Sequence, residues 1–246
     1  MLKNETLSKL YEMHMGTMAA HFTAQQNDPQ YRELSFEERF SILVDAEWAA
    51  RKSNRLSRLI KNASYAIPHA CVEDISFHPE RKLDKEQILS LASCSYIEET
   101  HNVLILGATG VGKTYLACAL GVAANRNFYT VKYVRLPDIL TEISLARGDG
   151  TYRELMRKYK KVKLLILDEW LLYPLKENEA RDLLELIEAR SNTASTIFCS
   201  QFDVPGWHEN LYDPTLADAI CDRIIYDAYT LKIEGESMRK RNGIRP

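Results

Sequence analysis

The sequence predicts an α/β fold, a parallel sheet flanked by helices, preceded by a small all-helical N-terminal domain. From residue 101 onward, short apolar runs alternate with helical stretches, as they do where helices cover both faces of a parallel sheet. A glycine-rich segment, Gly107-Ala108-Thr109-Gly110-Val111-Gly112-Lys113-Thr114, stands between the first of these runs and a helical stretch. Before residue 75 the apolar residues recur at helical spacing instead.

Leu7, Leu10, Tyr11, Met18 and Phe22 share one face and predict a first helix that stops near the polar run Gln25-Gln26-Asn27-Asp28-Pro29. Ser35 followed by Glu38 is a capping box, in which each side chain satisfies the other residue's backbone N–H. It opens a second helix, carrying Phe36, Phe40, Leu43 and Trp48, that runs to about Asn62. Pro68 and Pro79 bracket a less regular segment, and a short helix is expected over Lys85 to Ser93. Residues 1–75 are therefore assigned to the helical domain and 76–246 to the α/β domain.

In the second part, strands are expected at Val103–Leu106, Val131–Arg135, Leu164–Leu167, Thr196–Cys199 and Thr230–Ile233. Helices are expected near Gly112–Ala124, Pro137–Arg147, Glu177–Arg190 and Pro214–Ile225.

Composition narrows the function classes. A chain of 246 residues with 46% apolar and 27% charged content reads as a soluble globular protein. No stretch approaches the ~20 consecutive apolar residues of a membrane span. The polar start Met-Leu-Lys-Asn-Glu-Thr does not read as a secretion signal, so cytoplasmic residence is expected. Five scattered cysteines without a C-x-x-C pair argue against a disulfide framework or a zinc site. A formal net charge of -2 predicts no blanket affinity for nucleic acid, so any DNA contact must come from local basic patches.

The glycine-rich segment is a complete P-loop. Glycines at 107, 110 and 112 let consecutive backbone N–H groups turn inward on a phosphate, and the following helix adds the positive end of its dipole. Lys113 can then reach the β- and γ-phosphates of ATP, and the Thr114 hydroxyl can ligate Mg2+. The run Lys163-Leu-Leu-Ile-Leu-Asp168-Glu169 is a buried strand whose tip is expected beside the P-loop, with Asp168 holding Mg2+ through water and Glu169 polarising the attacking water. The adjacent acids favour an ATPase over a monomeric small-molecule kinase, in which an activated water would waste ATP. Ser200 or Gln201, ending the next strand, could touch the γ-phosphate or simply form a polar turn.

Two arginines extend the candidate site. Arg223, just before the last strand, could be presented to a neighbouring subunit's ATP as an arginine finger or could close a local ion pair; Arg190 is a second candidate for that role. Arg239, in Gly235-Glu-Ser-Met-Arg239-Lys-Arg241, could reach the γ-phosphate of its own subunit or belong to a solvated basic tail.

Arg51, Lys52, Arg55, Arg58 and Lys61 fall within eleven residues that contain no acid. Arg51, Arg55 and Arg58 share a helical face, apart from Leu56, Leu59, Ile60 and Ala63, and form a candidate DNA-backbone contact; a solvated face or an acidic partner fits the same pattern. Tyr152, Arg153, Arg157, Lys158, Lys160, Lys161 and Lys163 form a second basic cluster that could face DNA in an oligomer.

With these residues in view, nearly the whole chain resembles the IstB family, the AAA+ ATPase helpers encoded beside IstA-type transposases in bacterial insertion sequences, themselves similar to the DnaC helicase loaders. The likeness rests on Tyr31-Arg-Glu-Leu-Ser-Phe-Glu-Glu-Arg39, Asp45-Ala-Glu-Trp48 and the basic run, then on the P-loop, Leu167-Asp-Glu169, Ser200-Gln201, Trp207-His208, Asp213-Pro-Thr-Leu-Ala-Asp-Ala-Ile220, Asp222-Arg223 and Glu234-Gly-Glu-Ser-Met-Arg239. It implies an AAA+ homo-oligomer with ATP at subunit interfaces that assembles on duplex DNA, bends it, and recruits and stimulates the transposase of the same element. A DnaC-like replicative helicase loader is the alternative it leaves open. Ala108-Thr109 stands where a Pro-Pro type pair is frequent, a harmless change at positions that act through backbone N–H groups. The Ser200-Gln201 pair stands where many AAA+ proteins carry Asn.

Overall fold

The computed structural model describes residues 2–238, and Arg239 lies outside them. Two compact units divide between Arg58 and Leu59.

In the first unit, α1 (Leu2–Glu12) and α2 (Gly16–Asn27) replace the single helix expected there. The backbone breaks at His14, whose left-handed conformation (φ 56°) an α-helix does not pass through. The long helix α3 (Phe36–Ala63) opens on the expected box: Ser35 N–H donates to Glu38 Oε2 at 2.7 Å and Glu38 N–H to Ser35 Oγ at 3.2 Å. Leu43 is buried, but Phe36, Phe40 and Trp48 are exposed at 72%, 52% and 59%. Spacing put them on a helix correctly; it does not say whether that face is covered. Glu47 is buried and accepts Met18 N–H at 3.0 Å and Arg51 Nε–H at 2.8 Å, which fastens α2 to α3.

The second unit contains α4 (Lys85–Ala92), α5 (Ser95–Glu98), β1 (Asn102–Gly107), α6 (Lys113–Arg126), β2 (Val131–Arg135), α7 (Leu136–Asp149), α8 (Tyr152–Lys161), β3 (Leu164–Trp170), α9 (Glu177–Arg190), β4 (Ser195–Ser200), α10 (Val204–Asn210), α11 (Pro214–Ile225) and β5 (Ala228–Ile233). The strands pair in the order β2-β3-β4-β1-β5, every pair parallel. Successive residues of β1 feed different cores. Val103 and Ile105 pack with Ile88 of α4 and Leu116 and Leu120 of α6, while Leu104 and Leu106 pack with Ile139 of α7, Leu183 of α9 and Ile220 of α11. Coverage on both faces is why these strands read as continuous apolar runs. Helices α5, α8 and α10 were not among those expected; α8 buries Met156 and Tyr159, and the sequence shows its residues only as a basic cluster.

Residues 59–75 belong with the sheet rather than with the helical part. Ala63, Tyr65, Ala70, Val72 and Ile75 all lie in the core beneath α6, and Tyr65 Oη donates to buried Asn125 Oδ1 at 2.8 Å. The division therefore falls earlier than residue 75, because helical periodicity persists into a segment whose apolar face packs elsewhere.

Arg190, the second finger candidate, is 2% exposed. Its guanidinium donates to Thr196 Oγ1 (3.1 Å) and to the carbonyls of Tyr159 (2.8 Å), Val162 (2.9 Å) and Ser195 (2.5 Å), tying α8, α9 and β4 together. Burial lowers its pKa to about 10, and a side chain so enclosed cannot be offered to another subunit. Arg190→Met is expected to cost about 3 kcal/mol by stranding buried carbonyls, read as a lower urea midpoint. An unchanged midpoint would show that those carbonyls find other donors.

Candidate nucleotide-binding site

All five strands end on one side, and the P-loop leaves β1 where the chain departs for the far edge of the sheet, the switch point at which α/β sheets bind ligands. Gly107 (φ 156°) passes so close to β5 that a Cβ would sit 2.3 Å from the Ile233 carbonyl oxygen, which excludes any side chain. Gly110 takes a left-handed backbone (φ 85°) with the Ser237 side chain against it, and Met238 N–H donates to Gly110 O at 2.9 Å. From outside the loop, buried Arg81 donates to Val111 O at 2.9 Å and Ser76 O at 2.6 Å. Nothing in the spacing of the sequence marks Arg81 for this task, since it lies 30 residues from its partner. Lys113, at the start of α6, donates from Nζ to Gly107 O (2.7 Å) and Ala108 O (2.8 Å), and burial pulls its pKa below that of an ordinary lysine.

The tip of β3 meets this loop, though not as its neighbour. β4 lies between β1 and β3, so the expectation of adjacent strand tips is corrected. The connection is made by the first turn of α6, which packs on β3 and β4 and brings Thr114 Oγ1 within 2.7 Å of Asp168 Oδ2. A register shift between Leu167 and Trp170 interrupts β3, and Glu169 there takes a left-handed backbone (φ 55°). Such a bulge breaks the strict alternation of sides, and both carboxylates border one cavity of about 90 Å³ together with Lys113, Thr114 and Gln201.

The neighbouring edge strand supplies two further partners. Tyr133 Oη donates to Asp168 Oδ2 at 2.8 Å, and Arg135 Nη2 donates to Glu169 Oε2 at 2.7 Å. Burial and the Asp168 charge raise the Tyr133 pKa, so its proton stays in place as a donor. Both residues fall inside a strand that was legible in the sequence, but only the pairing of β2 with β3, which sets Arg135 opposite Asp168, gives them a role.

The two sensor candidates separate cleanly. Ser200 is buried, donates to Trp170 O at 3.1 Å and accepts from Phe202 N–H and Trp207 Nε1–H, so its hydroxyl serves the core. Gln201 is exposed beside the loop and accepts a hydrogen bond from Thr109 Oγ1 at 2.7 Å.

Arg223 lies at the other end of the sheet, beside Asn102 at the start of β1. It donates to Ala219 O at 2.8 Å and to Glu188 Oε1 at 3.3 Å, with a third of its side chain exposed. It is remote from the P-loop of its own chain and open to another molecule. Of the basic run, all five side chains are exposed, but Arg51 is engaged by Glu47 and by the His14 carbonyl, and Lys52 Nζ lies 3.8 Å over the Trp48 ring. The acid that claims Arg51 sits one helical turn before the stretch that had none. On α8, Tyr152 and Lys160 bind Glu185, while Arg153, Arg157, Lys158 and Lys161 are exposed.

A hydroxyl and a carboxylate 2.7 Å apart, at the wall of a cavity that also holds a lysine, are the hard oxygen donors that suit Mg2+ bound with a nucleotide. Residues 8–245 match the family described as IstB-like ATP binding protein. An ATP-binding protein of an insertion sequence in Sinorhizobium fredii is 40% identical over 243 residues, covering 98% of each chain. Among solved structures, the DnaC helicase loader superposes with a TM-score of 0.58 at 18% identity, covering 67% of this chain and 97% of the other. AMPPCP-bound DnaA from Aquifex aeolicus superposes with a TM-score of 0.57 at 21% identity over 70% of this chain, which spans about half the length of that protein, 52%. At these identities the two structures establish the fold alone, a parallel sheet flanked by helices.

Proposed function

The chain belongs to the IstB-like ATP binding protein family, and on that premise we propose that it is an ATP-hydrolysing helper of DNA transposition, oligomeric on duplex DNA and recruiting the transposase of its own element. The observation that carries the enzymatic part is the meeting of Lys113, Thr114, Asp168 and Glu169 around one cavity. The P-loop N–H groups and Lys113 bind the phosphates, Lys113 exchanging its two carbonyl contacts for phosphate oxygens. Thr114 and Asp168 would hold Mg2+, which supplies charge neutralisation on the phosphates when bound. Tyr133 keeps Asp168 oriented for that task. Glu169 draws a proton from the water whose oxygen bonds to the γ-phosphorus as the bond to the bridging oxygen breaks and ADP leaves. Gln201 is the group placed to sense the γ-phosphate.

Arg223, a third exposed at the far end of the sheet, is the residue we assign to a neighbouring subunit's nucleotide, so that ATP binding favours assembly. Arg239 is kept as a proposed γ-phosphate contact in its own subunit, following directly on the segment bound to Gly110. Exposed Arg55, Arg58 and Lys61, with Lys52, are proposed to meet the DNA backbone, with Arg51 braced by Glu47 at the end of the stripe. Arg55→Glu together with Arg58→Glu is expected to weaken duplex binding and to lower the slope of log affinity against log salt by roughly 2, while nucleotide affinity stays as it was. Unchanged DNA affinity would move the contact elsewhere, α8 being the next surface to vary. Pull-down against transposase and a replicative helicase, with duplex and single-stranded DNA, tests the proposal as a whole; capture of the helicase on single strands would favour a loader instead.

A further inference from the structure

The P-loop pattern asks position 109 for a backbone N–H only, yet in the folded loop its side chain has a partner. Thr109 Oγ1 donates to Gln201 Oε1 at 2.7 Å, across 92 positions of sequence. The backbones that carry the two groups are both fixed. Lys113 Nζ holds the carbonyls of Gly107 and Ala108, and Met238 N–H holds that of Gly110, so Thr109 sits between pinned neighbours. Gln201 directly follows Ser200, which stands opposite Leu106 in the register of β4 on β1 and whose hydroxyl is bound to Trp170 O and Trp207 Nε1–H.

The side chain of Gln201 is by contrast exposed, and its three torsions leave it many rotamers unless something holds it. A glutamine amide also has two unlike ends, since Oε1 only accepts and Nε2 only donates. Beside a γ-phosphate, whose oxygens are acceptors, the Nε2 end binds and the Oε1 end repels. A hydroxyl that donates to Oε1 settles both matters. It anchors the carbonyl end against the loop and leaves the two Nε2 protons for the cavity that Thr109, Lys113 and Gln201 border together.

We propose that Thr109 is a positioning residue for Gln201: its hydroxyl sets which end of the amide faces the γ-phosphate and so makes the site prefer ATP to ADP. The inference rests on the proposed sensing role of Gln201 and adds the group that acts through it. The hydroxyl itself meets no reacting atom in this scheme. Because both side chains are open to water, the expected effect is that of one modest hydrogen bond, about fivefold, rather than loss of the site.

The test is titration of the full chain with Mg2+ and either ADP or a non-hydrolysable ATP analogue, alongside steady-state turnover. Wild type is compared with Thr109→Val, Thr109→Ser, Gln201→Ala and the double variant that joins Thr109→Val to Gln201→Ala. Thr109→Val keeps the branched shape without the hydroxyl. It is expected to weaken binding of the ATP analogue and to lower kcat, each about fivefold, while ADP affinity stays within about twofold. Thr109→Ser restores a donor and should recover most of both losses. In the Gln201→Ala background, Thr109→Val should change neither, because the effect of a residue that acts only through another vanishes with it. Thr109→Ala repeats the titrations should the valine variant fail to fold. Equal weakening of ADP and the ATP analogue by Thr109→Val, no weakening of either, or a loss that persists in the double variant overturns the proposal. A Gln201→Ala protein with wild-type preference for the ATP analogue and wild-type turnover would instead remove Gln201 from the γ-phosphate, a failure of the sensing role itself that shows without any change at Thr109.

Discussion

Glu169→Gln is expected to bind ATP with an affinity within about threefold of wild type and to turn it over 10²- to 10⁴-fold more slowly, roughly the range that a positioned general base supplies. Glutamine keeps the shape and can still accept a bond from Arg135, so the backbone of the β3 bulge should be undisturbed. What is lost is the group that takes a proton from water. If nucleotide binding favours assembly and hydrolysis dissolves it, the same variant should accumulate as a stable oligomer on DNA in the presence of ATP. Phosphate release and sedimentation with labelled duplex measure the two halves. Wild-type turnover by the variant would remove Glu169 from the mechanism and leave only the binding half of the site.

Lys113→Ala should be the more severe change at the binding step. Its ammonium is half-buried between the carbonyls of Gly107 and Ala108, and no other lysine or arginine among the described residues borders the cavity. Removing a desolvated positive charge opposite a triphosphate costs about 3 kcal/mol or more, at least 100-fold in Kd. Titration with a fluorescent ATP analogue reads this directly. Retained affinity would mean that the loop N–H groups and the helix dipole suffice, and that Lys113 acts only later.

The two variants divide the site by its physical parts, binding from the loop and chemistry from the strand tip. They also differ in how legible their residues were. The P-loop is a contiguous pattern between an apolar strand and a helix, and the structure places Lys113 and Thr114 where that pattern requires. Asp168 and Glu169 were readable as the polar end of an apolar run. That they reach Thr114 across β4 rather than from an adjacent strand depends on a sheet order that the run does not encode.

Choices between similar residues were not local at all. Ser200 and Gln201 are equally polar neighbours, and only packing around Trp207 shows that the serine is committed to the core. Arg190 and Arg223 both end helices, and only burial distinguishes the one bound to three carbonyls and a threonine from the one a third exposed. Arg51 looked like its neighbours until α3 set Glu47 against it. Phe36, Phe40 and Trp48 satisfied helical spacing without being covered.

Composition, periodicity and motif thus determine the α/β class, the five strands with four of the helices between them, and the glycine-rich loop, because each is carried by residues close together in the chain. The partners that aim the carboxylates, Tyr133, Arg135 and, behind the loop, Arg81, emerged from the folded sheet alone. Their contacts join residues 30 or more positions apart, and no chain-local pattern specifies which strand will lie beside which.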